Sequence, residues 1–194
     1  WISDLIQDNC VGNSFCDMFA GTAIMSKKMI DNFDEIYIND FLYSNEVIYK
    51  AFFEQSNYNS TKLEILKNNF MKVPLSQISE NYVSENFGDK FFSSNDARRI
   101  GYIREQIECN DDLNEKEKNI LLASLLYSLD KAANTVGHYD AYIKGKQIND
   151  TFTFELIEPY VFKNKKIHIS RLDANVLAKS IKCDIVYIDP PYNS

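Results

Sequence analysis

The order of apolar and polar positions predicts alternating strands and helices over the first 53 residues. Residues 14–19 form a short apolar stretch that is typical of a buried strand, and small residues lead from it into a helical segment over 22–30. Residues 34–40 are β-branched and aromatic, which predicts a second strand, and the spacing over 45–53 predicts a second helix. Strand, helix, strand, helix is the order expected of a parallel α/β sheet.

The pattern changes near residue 57. Polar helical segments follow over 61–70, 97–107 and 115–133, and the turn-rich residues 134–145 predict a loop or hairpin. A strand over 166–170, a helix over 174–181 and a strand over 184–188 then restore the α/β order. We therefore predict an α/β fold with a largely helical insertion. Residues 1–56 and 161–194 form the two parts of the α/β domain, and 57–160 form the inserted region.

The composition indicates a globular protein and argues against membrane and secreted proteins. The 194 residues are 45% hydrophobic and 25% charged, as in ordinary globular proteins. No apolar run approaches the roughly 20 residues that a membrane span needs, and no signal segment opens the chain. We therefore expect a cytoplasmic protein without a membrane partner. The net charge of -7 argues against nucleic acid as a partner.

Metal chemistry is also unexpected from the sequence. The four cysteines include no CxxC pair, and neither His138 nor His168 has a partner at ligand spacing. These patterns disfavour a zinc site and a disulfide framework. We therefore predict that the protein holds no metal ion.

The strongest chemical signal is Asp189-Pro190-Pro191-Tyr192, directly after the apolar segment 185–188. In open α/β sheets, ligands bind at the carboxyl ends of the strands. The Asp189 carboxylate and the Pro190 carbonyl are two acceptors for one amino group, and the Tyr192 ring offers a face for stacking. The set suits a planar heterocycle with an exocyclic amino group, such as adenine. The alternative is a strand capped by a proline-rich turn, with Tyr192 merely packed. Placement at the end of a predicted buried strand favours the functional interpretation.

Three further segments fall at predicted strand ends. The small residues from Asp17 to Ala23 would let the backbone approach a cofactor, although Ala23 stands where a glycine is expected. Asp40 closes the second strand 23 residues after Asp17, which is typical of an acceptor for ribose hydroxyls. Asp173 precedes a helix, where it either caps the helix or contacts the adenine of a cofactor. Together, the four segments agree with one cofactor that lies across a sheet edge.

These segments resemble those of the Dam-like, adenine-specific (N6) DNA methyltransferases. DMFAGTA is similar to the cofactor loop of that family, YINDF to its acidic ribose motif, LDA to its adenine-contacting motif and DPPY to its catalytic loop. The insertion corresponds in position to the target-recognition region of the family, and NTVGHYDAYIKG is similar to its DNA-contacting hairpin. The family also has motifs upstream of Trp1 and beyond DPPY, so we expect the chain to be incomplete at both ends.

The resemblance implies a Rossmann-like methyltransferase fold and S-adenosyl-L-methionine as cofactor. It implies double-stranded DNA and a cognate restriction endonuclease as partners, and a flipped-out adenine as substrate. The implied catalytic residues are Asp189, Pro190 and Tyr192. The implied cofactor contacts are Asp17, Phe19, Ala20, Gly21, Thr22, Asp40, Phe41, Asp173, Ala174 and Asp189. The implied DNA contacts are Asn134, Gly137, His138, Tyr139, Tyr142 and Lys144.

Two alternatives to a DNA methyltransferase remain open from the sequence. An enzyme that methylates adenine in RNA would use the same cofactor and the same acceptors. A truncated module that binds cofactor or DNA without catalysis would also carry these motifs. A glutamine-methylating enzyme is disfavoured, because it is expected to resemble NPPY instead of DPPY.

Overall fold

The chain leaves one unit of the structure after Gln55 and returns to it at Pro159. This computed structural model describes residues 1–137 and 139–191. Unit 1 consists of residues 1–55 and the chain from 159 onward, and unit 2 consists of residues 56–158. Unit 2 is therefore an insertion in the sequence of unit 1.

The described part of unit 1 is built on a four-stranded sheet in the order β3-β2-β1-β4. The strands are β1 (Ser14–Asp17), β2 (Glu35–Asn39), β3 (Lys166–Ser170) and β4 (Ile185–Tyr187). All three pairings are parallel. Because parallel strands point the same way, their four carboxyl ends meet at one edge of the sheet. The predicted α/β fold is confirmed.

Helices make the crossovers that parallel strands require. They are α2 (Ile24–Met29), α3 (Tyr43–Phe53) and α8 (Ala174–Ser180), and a further helix, α1 (Ile2–Asn9), precedes β1. The central strands are covered best: Phe15, Ile36 and Ile38 are fully buried, as are Met29 and Phe53 of the helices. On the opposite face of the sheet, Cys16 and Met18 pack with Leu177 of α8.

Strand β4 is less buried than its apolar sequence indicates. Val186 is 40% exposed and Ile188, which directly follows the strand, is 61% exposed. Among the described strands, β4 pairs with β1 alone. The buried strand expected before Asp189 is therefore only partly buried among the described residues, where β4 has one neighbouring strand.

The described part of unit 2 is mainly helical, as predicted. Its helices are α4 (Ser60–Lys72), α5 (Tyr82–Phe87), α6 (Ser94–Glu108) and α7 (Glu115–Ala132), with a 3₁₀ turn over Leu75–Gln77. Helix α5 was missed because it has only six residues and too few apolar positions to show a period. It begins with a capping box in which Asn81 and Ser84 each bind the backbone N–H of the other.

An extended segment over residues 150–158 completes unit 2 by hydrogen bonding to helix side chains instead of to a strand. The Asp96 carboxylate accepts from the backbone N–H of Thr151 (2.7 Å) and of Phe152 (3.0 Å). The Ser124 hydroxyl accepts from Ile157 N–H at 3.0 Å. Side chains of α6 and α7 therefore satisfy backbone donors that would otherwise lack partners.

The described ranges contain neither a membrane-spanning helix nor a cluster of metal-ligating side chains. Over residues 1–137 and 139–191, no helix is both long and apolar enough to cross a bilayer. The same ranges contain no group of three or more His, Cys, Asp or Glu side chains that could hold a metal ion.

Candidate active site

The loop between β1 and α2 has two residues in the left-handed backbone region. Gly21 has φ +51°, and among the described residues no other heavy atom lies within 4 Å of where a Cβ would be. Ala23, the residue before α2, has φ +56° and is 1% exposed. The sequence expectation of a glycine at position 23 therefore has a physical basis. Alanine adopts this conformation at a cost of about 1 kcal/mol.

Gly21 is held from both sides, by Asp40 directly after β2 and by Tyr49 of α3. Its N–H donates to the Asp40 carboxylate (Oδ2, 3.0 Å), and its carbonyl accepts from the Tyr49 hydroxyl at 2.7 Å. The other Asp40 oxygen accepts from the N–H of Leu42 at 2.9 Å. Burial raises the pKa of Tyr49. Asp40 thus fixes the position of the loop relative to the end of β2.

Asn39 joins the ends of three strands and was missed by the sequence analysis. Its Nδ2 donates to the carbonyls of Met18 and Leu172, both at 3.1 Å. Its Oδ1 accepts from the Ser170 hydroxyl (2.7 Å) and from Leu172 N–H (3.0 Å). The side chain is 1% exposed and all of its hydrogen-bonding groups are paired. The sequence did contain a signal for this role, since Asn39 is a polar residue within a strand that is otherwise apolar and buried.

Asp17 lies inside the fold below the loop. It is 1% exposed, and its Oδ2 accepts from the backbone N–H (3.1 Å) and hydroxyl (2.8 Å) of Ser26 in α2. Burial raises the pKa of Asp17 to about 6 against the opposing effect of the Ser26 hydrogen bonds, and the charges of Asp189 and Asp40 raise it further. Through its hydrogen bonds to Ser26, Asp17 anchors α2 to β1.

Asp173 caps helix α8. Its Oδ1 accepts from the N–H groups of Asn175 (2.9 Å) and Val176 (3.3 Å). Ala174, the first residue of α8, is half-buried against the cluster of Cys16, Met18 and Leu177. The structure thus gives Asp173 the capping role that the sequence left open.

Asp189 follows β4, which pairs with β1, the strand before the Gly21 loop. The Met18 N–H donates to the Tyr187 carbonyl at 3.1 Å, which joins the ends of β1 and β4. Asp189 is exposed, and its Oδ2 accepts from the Tyr187 hydroxyl at 3.2 Å. Pro190 is exposed as well. Tyr192 lies outside the described residues.

The remaining predicted cofactor residues differ in exposure. Phe19 is half-buried and packs beside Met18, and Ala20 is buried. Thr22 is exposed, and Phe41 is 74% exposed. Ala20 is tied to β2, because its N–H donates to the Asn39 carbonyl at 2.9 Å. The sheet topology therefore brings all four predicted motifs to one edge.

The predicted DNA contacts lie in the loop over 134–145, where an antiparallel bridge between Thr135 and Tyr142 gives the expected hairpin-like path. Gly137 (φ +107°) and Lys144 are exposed. The Tyr139 hydroxyl donates to Asp130 at 2.7 Å. Burial raises the pKa of Tyr139. His138 lies outside the described residues.

Asn134 has an internal position in this loop. Its side chain is 4% exposed and donates to the carbonyls of Lys90 and Ile143, both at 3.0 Å. A surface contact with DNA was expected, and the structure instead gives this amide the task of holding the loop.

Comparison with known proteins identifies the family. The model of the D12 class N6 adenine-specific DNA methyltransferases matches residues 1–194. Type II methyltransferase M.NlaIII of Neisseria lactamica is 32% identical over 212 residues, which cover 100% of this chain and 61% of that protein. Modification methylase StsI of Streptococcus sanguinis is 32% identical, over 93% of this chain and 30% of its own length. Type II methyltransferase M.CviAII of Paramecium bursaria Chlorella virus 1 is 32% identical, over 93% of this chain and 56% of its own.

The chain thus spans between about a third and three fifths of the length of these relatives. The family model covers the whole chain, and the segments that carried the resemblance in the sequence lie together at one sheet edge. The chain belongs to the D12 class of N6 adenine-specific DNA methyltransferases.

Proposed function

We propose that the protein transfers a methyl group from S-adenosyl-L-methionine to the N6 amino group of adenine in double-stranded DNA. One observation carries the proposal: β4, which leads into Asp189, is hydrogen-bonded directly to β1, which leads into the Gly21 loop. A group bound at Gly21 and a base bound at Asp189 would therefore be neighbours. Family membership supports the same reaction.

The residues at the edge fit the proposed cofactor. The open side of Gly21 leaves room for a ligand against the backbone. Each Asp40 oxygen accepts one backbone N–H, and a carboxylate has about four acceptor sites, so capacity remains for ribose hydroxyls. The exposed Phe41 ring is available for stacking. Direct contacts of the cofactor with six further residues stay predictions: Asp17, Phe19, Ala20, Thr22, Asp173 and Ala174.

The acceptors at Asp189 supply the chemistry expected of the protein. The N6 nitrogen of adenine is a weak nucleophile because its lone pair is delocalised into the ring. If its two hydrogens are accepted by the Asp189 carboxylate and the Pro190 carbonyl, the nitrogen becomes pyramidal and its lone pair is free to attack. The sulfonium methyl group of the cofactor is the electrophile in this reaction. The protein orients the two reactants.

Adenine inside a duplex is out of reach of Asp189, so the target base must leave the stack. This costs a few kcal/mol. Stacking on Tyr192 would return about 1–3 kcal/mol. We assign the loop over 134–145 to DNA binding, with Gly137, His138, Tyr139, Tyr142 and Lys144 as its proposed contacts. A restriction endonuclease partner and a cytoplasmic location follow from the same proposal.

A methyl-transfer assay tests the proposal. Tritiated methyl from the cofactor is followed into unmethylated mixed-sequence duplex DNA, with RNA as a parallel substrate and Asp189→Ala as the key variant. We expect label in adenine of the DNA and none with Asp189→Ala, whose exposed side chain has no role in the core. The exposed Asp31, after α2, gives the matched control Asp31→Ala, which should keep full activity.

Other outcomes would redirect the assignment. Label in RNA alone would favour the RNA enzyme. Cofactor binding without transfer to either substrate would favour the non-catalytic module. Methylation retained by Asp189→Ala would overturn the assigned role of that carboxylate.

A further inference from the structure

A second loop of unit 2 is fastened to the predicted DNA-contacting loop. This second loop is the turn of residues 88–92 between α5 and α6. The N–H of Asn134 donates to the Phe91 carbonyl at 2.7 Å, and its Nδ2 donates to the Lys90 carbonyl at 3.0 Å. The same Nδ2 donates to the Ile143 carbonyl at 3.0 Å, and the Ile143 N–H returns to the Asn134 carbonyl at 3.3 Å.

One buried amide thus holds the backbone of Lys90 and the backbone next to Lys144. Asn134 is 4% exposed, so water does not compete for these bonds. The relationship is invisible in the sequence, because 44 residues separate Asn134 from Lys90.

The turn over 88–92 has a fixed shape. Asp89 has φ +56°, a conformation that non-glycine residues adopt at a cost of about 1 kcal/mol. Its N–H donates to the Phe92 carbonyl at 2.7 Å, and its carboxylate accepts from the Ser94 hydroxyl at 2.8 Å. A strained residue that is bonded on both sides keeps one conformation. The Lys90 side chain therefore projects into solvent from a backbone of fixed conformation.

Aromatic contacts fasten the two loops together as well. The Phe91 ring lies 5.7 Å from the Tyr139 ring and 5.5 Å from the Tyr142 ring, between centroids. The Phe87 ring packs edge-on against Phe91 at 5.8 Å. Such pairs stabilise by about 0.5–1.5 kcal/mol each. Phe91 is a positioning residue for the loop.

Two lysine side chains on this surface are available to contact an anion. Lys90 and Lys144 are exposed, and neither forms an ion pair with a residue in the described ranges. Two nearby carboxylates already accept hydrogen bonds, Asp89 from Ser94 and Asp130 from Tyr139.

We infer that the turn of residues 88–92 is a second part of the DNA-binding surface and that Lys90 contacts a backbone phosphate beside the loop over 134–145. The inference rests on the proposed function. Phosphate contacts fix the register of a protein on the duplex without reading sequence. Lys90 would therefore contribute affinity, and the loop would contact the bases or the adjacent backbone.

The salt dependence of DNA binding tests this inference. Affinity of the intact protein for a fluorescently labelled, mixed-sequence duplex is measured by anisotropy from 50 to 300 mM NaCl. Each phosphate contact contributes about 0.9 to the slope of log K against log salt. We expect Lys90→Gln to lower that slope by about one and to weaken binding about fivefold at 0.15 M salt. Lys90→Arg should retain wild-type values.

The control is Lys28→Gln, which removes the same charge from the exposed last turn of α2 in unit 1. We expect its slope to equal that of the wild type. Equal slopes and affinities for Lys90→Gln and Lys28→Gln would overturn the inference while leaving the proposed function standing. A wild-type protein that fails to bind duplex DNA would overturn both. Cofactor affinity, measured in parallel, should be the same for all four proteins.

Discussion

The side chain of Asn39 pairs with the backbone of Leu172 as a neighbouring strand would. Its Nδ2 donates to the Leu172 carbonyl at 3.1 Å, and its Oδ1 accepts from the Leu172 N–H at 3.0 Å. Strand β3 ends at Ser170, so this amide continues the pairing two residues beyond the strand. It thereby sets the separation of Asp40, next to Asn39, from Asp173, next to Leu172.

Replacing Asn39 with aspartate should destabilise the fold by about 2–4 kcal/mol, because both buried amide donations are lost and a negative charge then faces two carbonyl oxygens. The free energy of unfolding, measured in urea at pH 7, checks this expectation. Asn32→Asp is the matched control at an exposed turn, where the oxygen that accepts from Gln7 is retained. A loss below about 1 kcal/mol for Asn39→Asp would show that the amide is not needed.

Asp17 should give the stability curve a specific pH dependence. Its folded pKa, about 6, lies above the unfolded value near 3.8. A raised folded pKa means that the folded protein binds the proton more tightly. The contribution of Asp17 to the free energy of unfolding is therefore greatest below about pH 4. It falls as the pH rises from about 4 to 6 and is constant above that range. Between these two pH limits, the contribution of Asp17 to the free energy of unfolding changes by about 2–3 kcal/mol.

The variant Asp17→Asn isolates this effect. It keeps an oxygen to accept from Ser26 and cannot ionise. As the pH rises from 4 to 6, we expect the free energy of unfolding of the wild type to fall relative to that of the variant. A difference that does not change across this interval would mean that Asp17 titrates normally.

Asp40 should matter more for the cofactor than for DNA. Asp40→Ala removes the acceptor that holds the Gly21 N–H and the proposed acceptor of ribose hydroxyls. We expect the dissociation constant for S-adenosyl-L-methionine to rise at least about tenfold, because a hydrogen bond to a charged group contributes about 1.5–3 kcal/mol. Calorimetric titration measures it, and anisotropy measures DNA affinity in parallel. Equal weakening of both would contradict the ribose assignment.

Gly101 of α6 provides a test of packing in unit 2. A Cβ at this position would lie 1.9 Å from the Asn81 Oδ1 atom, and Asn81 both caps α5 and donates to the Arg98 carbonyl at 2.9 Å. We expect Gly101→Ala to destabilise the protein by about 1–3 kcal/mol through this overlap. Thermal unfolding and urea unfolding measure the loss.

A double-mutant cycle identifies the cause. In an Asn81→Ala background the overlap is absent, and alanine is favoured over glycine inside a helix by about 0.5–1 kcal/mol. The same Gly101→Ala change should then be neutral or stabilising. The same loss in both backgrounds would exclude contact with Asn81 as the reason.

The sequence by itself determined the parts of this protein that depend on neighbouring residues. Apolar runs, small residues and acidic residues at strand ends predicted β1, β2 and β3, the helical insertion, and the four motifs that the fold brings to one edge. These features are local, because the pattern of a few consecutive residues decides whether a segment forms a strand, a helix or a turn.

The tertiary structure alone decided which polar side chains are buried and what they bind. Asn39 and Leu172 are 133 residues apart, and Asn134 and Lys90 are 44 apart. Asp17 is a buried anchor while Asp189 is exposed, although both follow apolar strand residues. Strand β4 pairs with β1 and not with β3, which precedes it in the chain. The hydrogen-bond partners and the burial of a side chain depend on segments that are distant in the chain, and no local pattern encodes them.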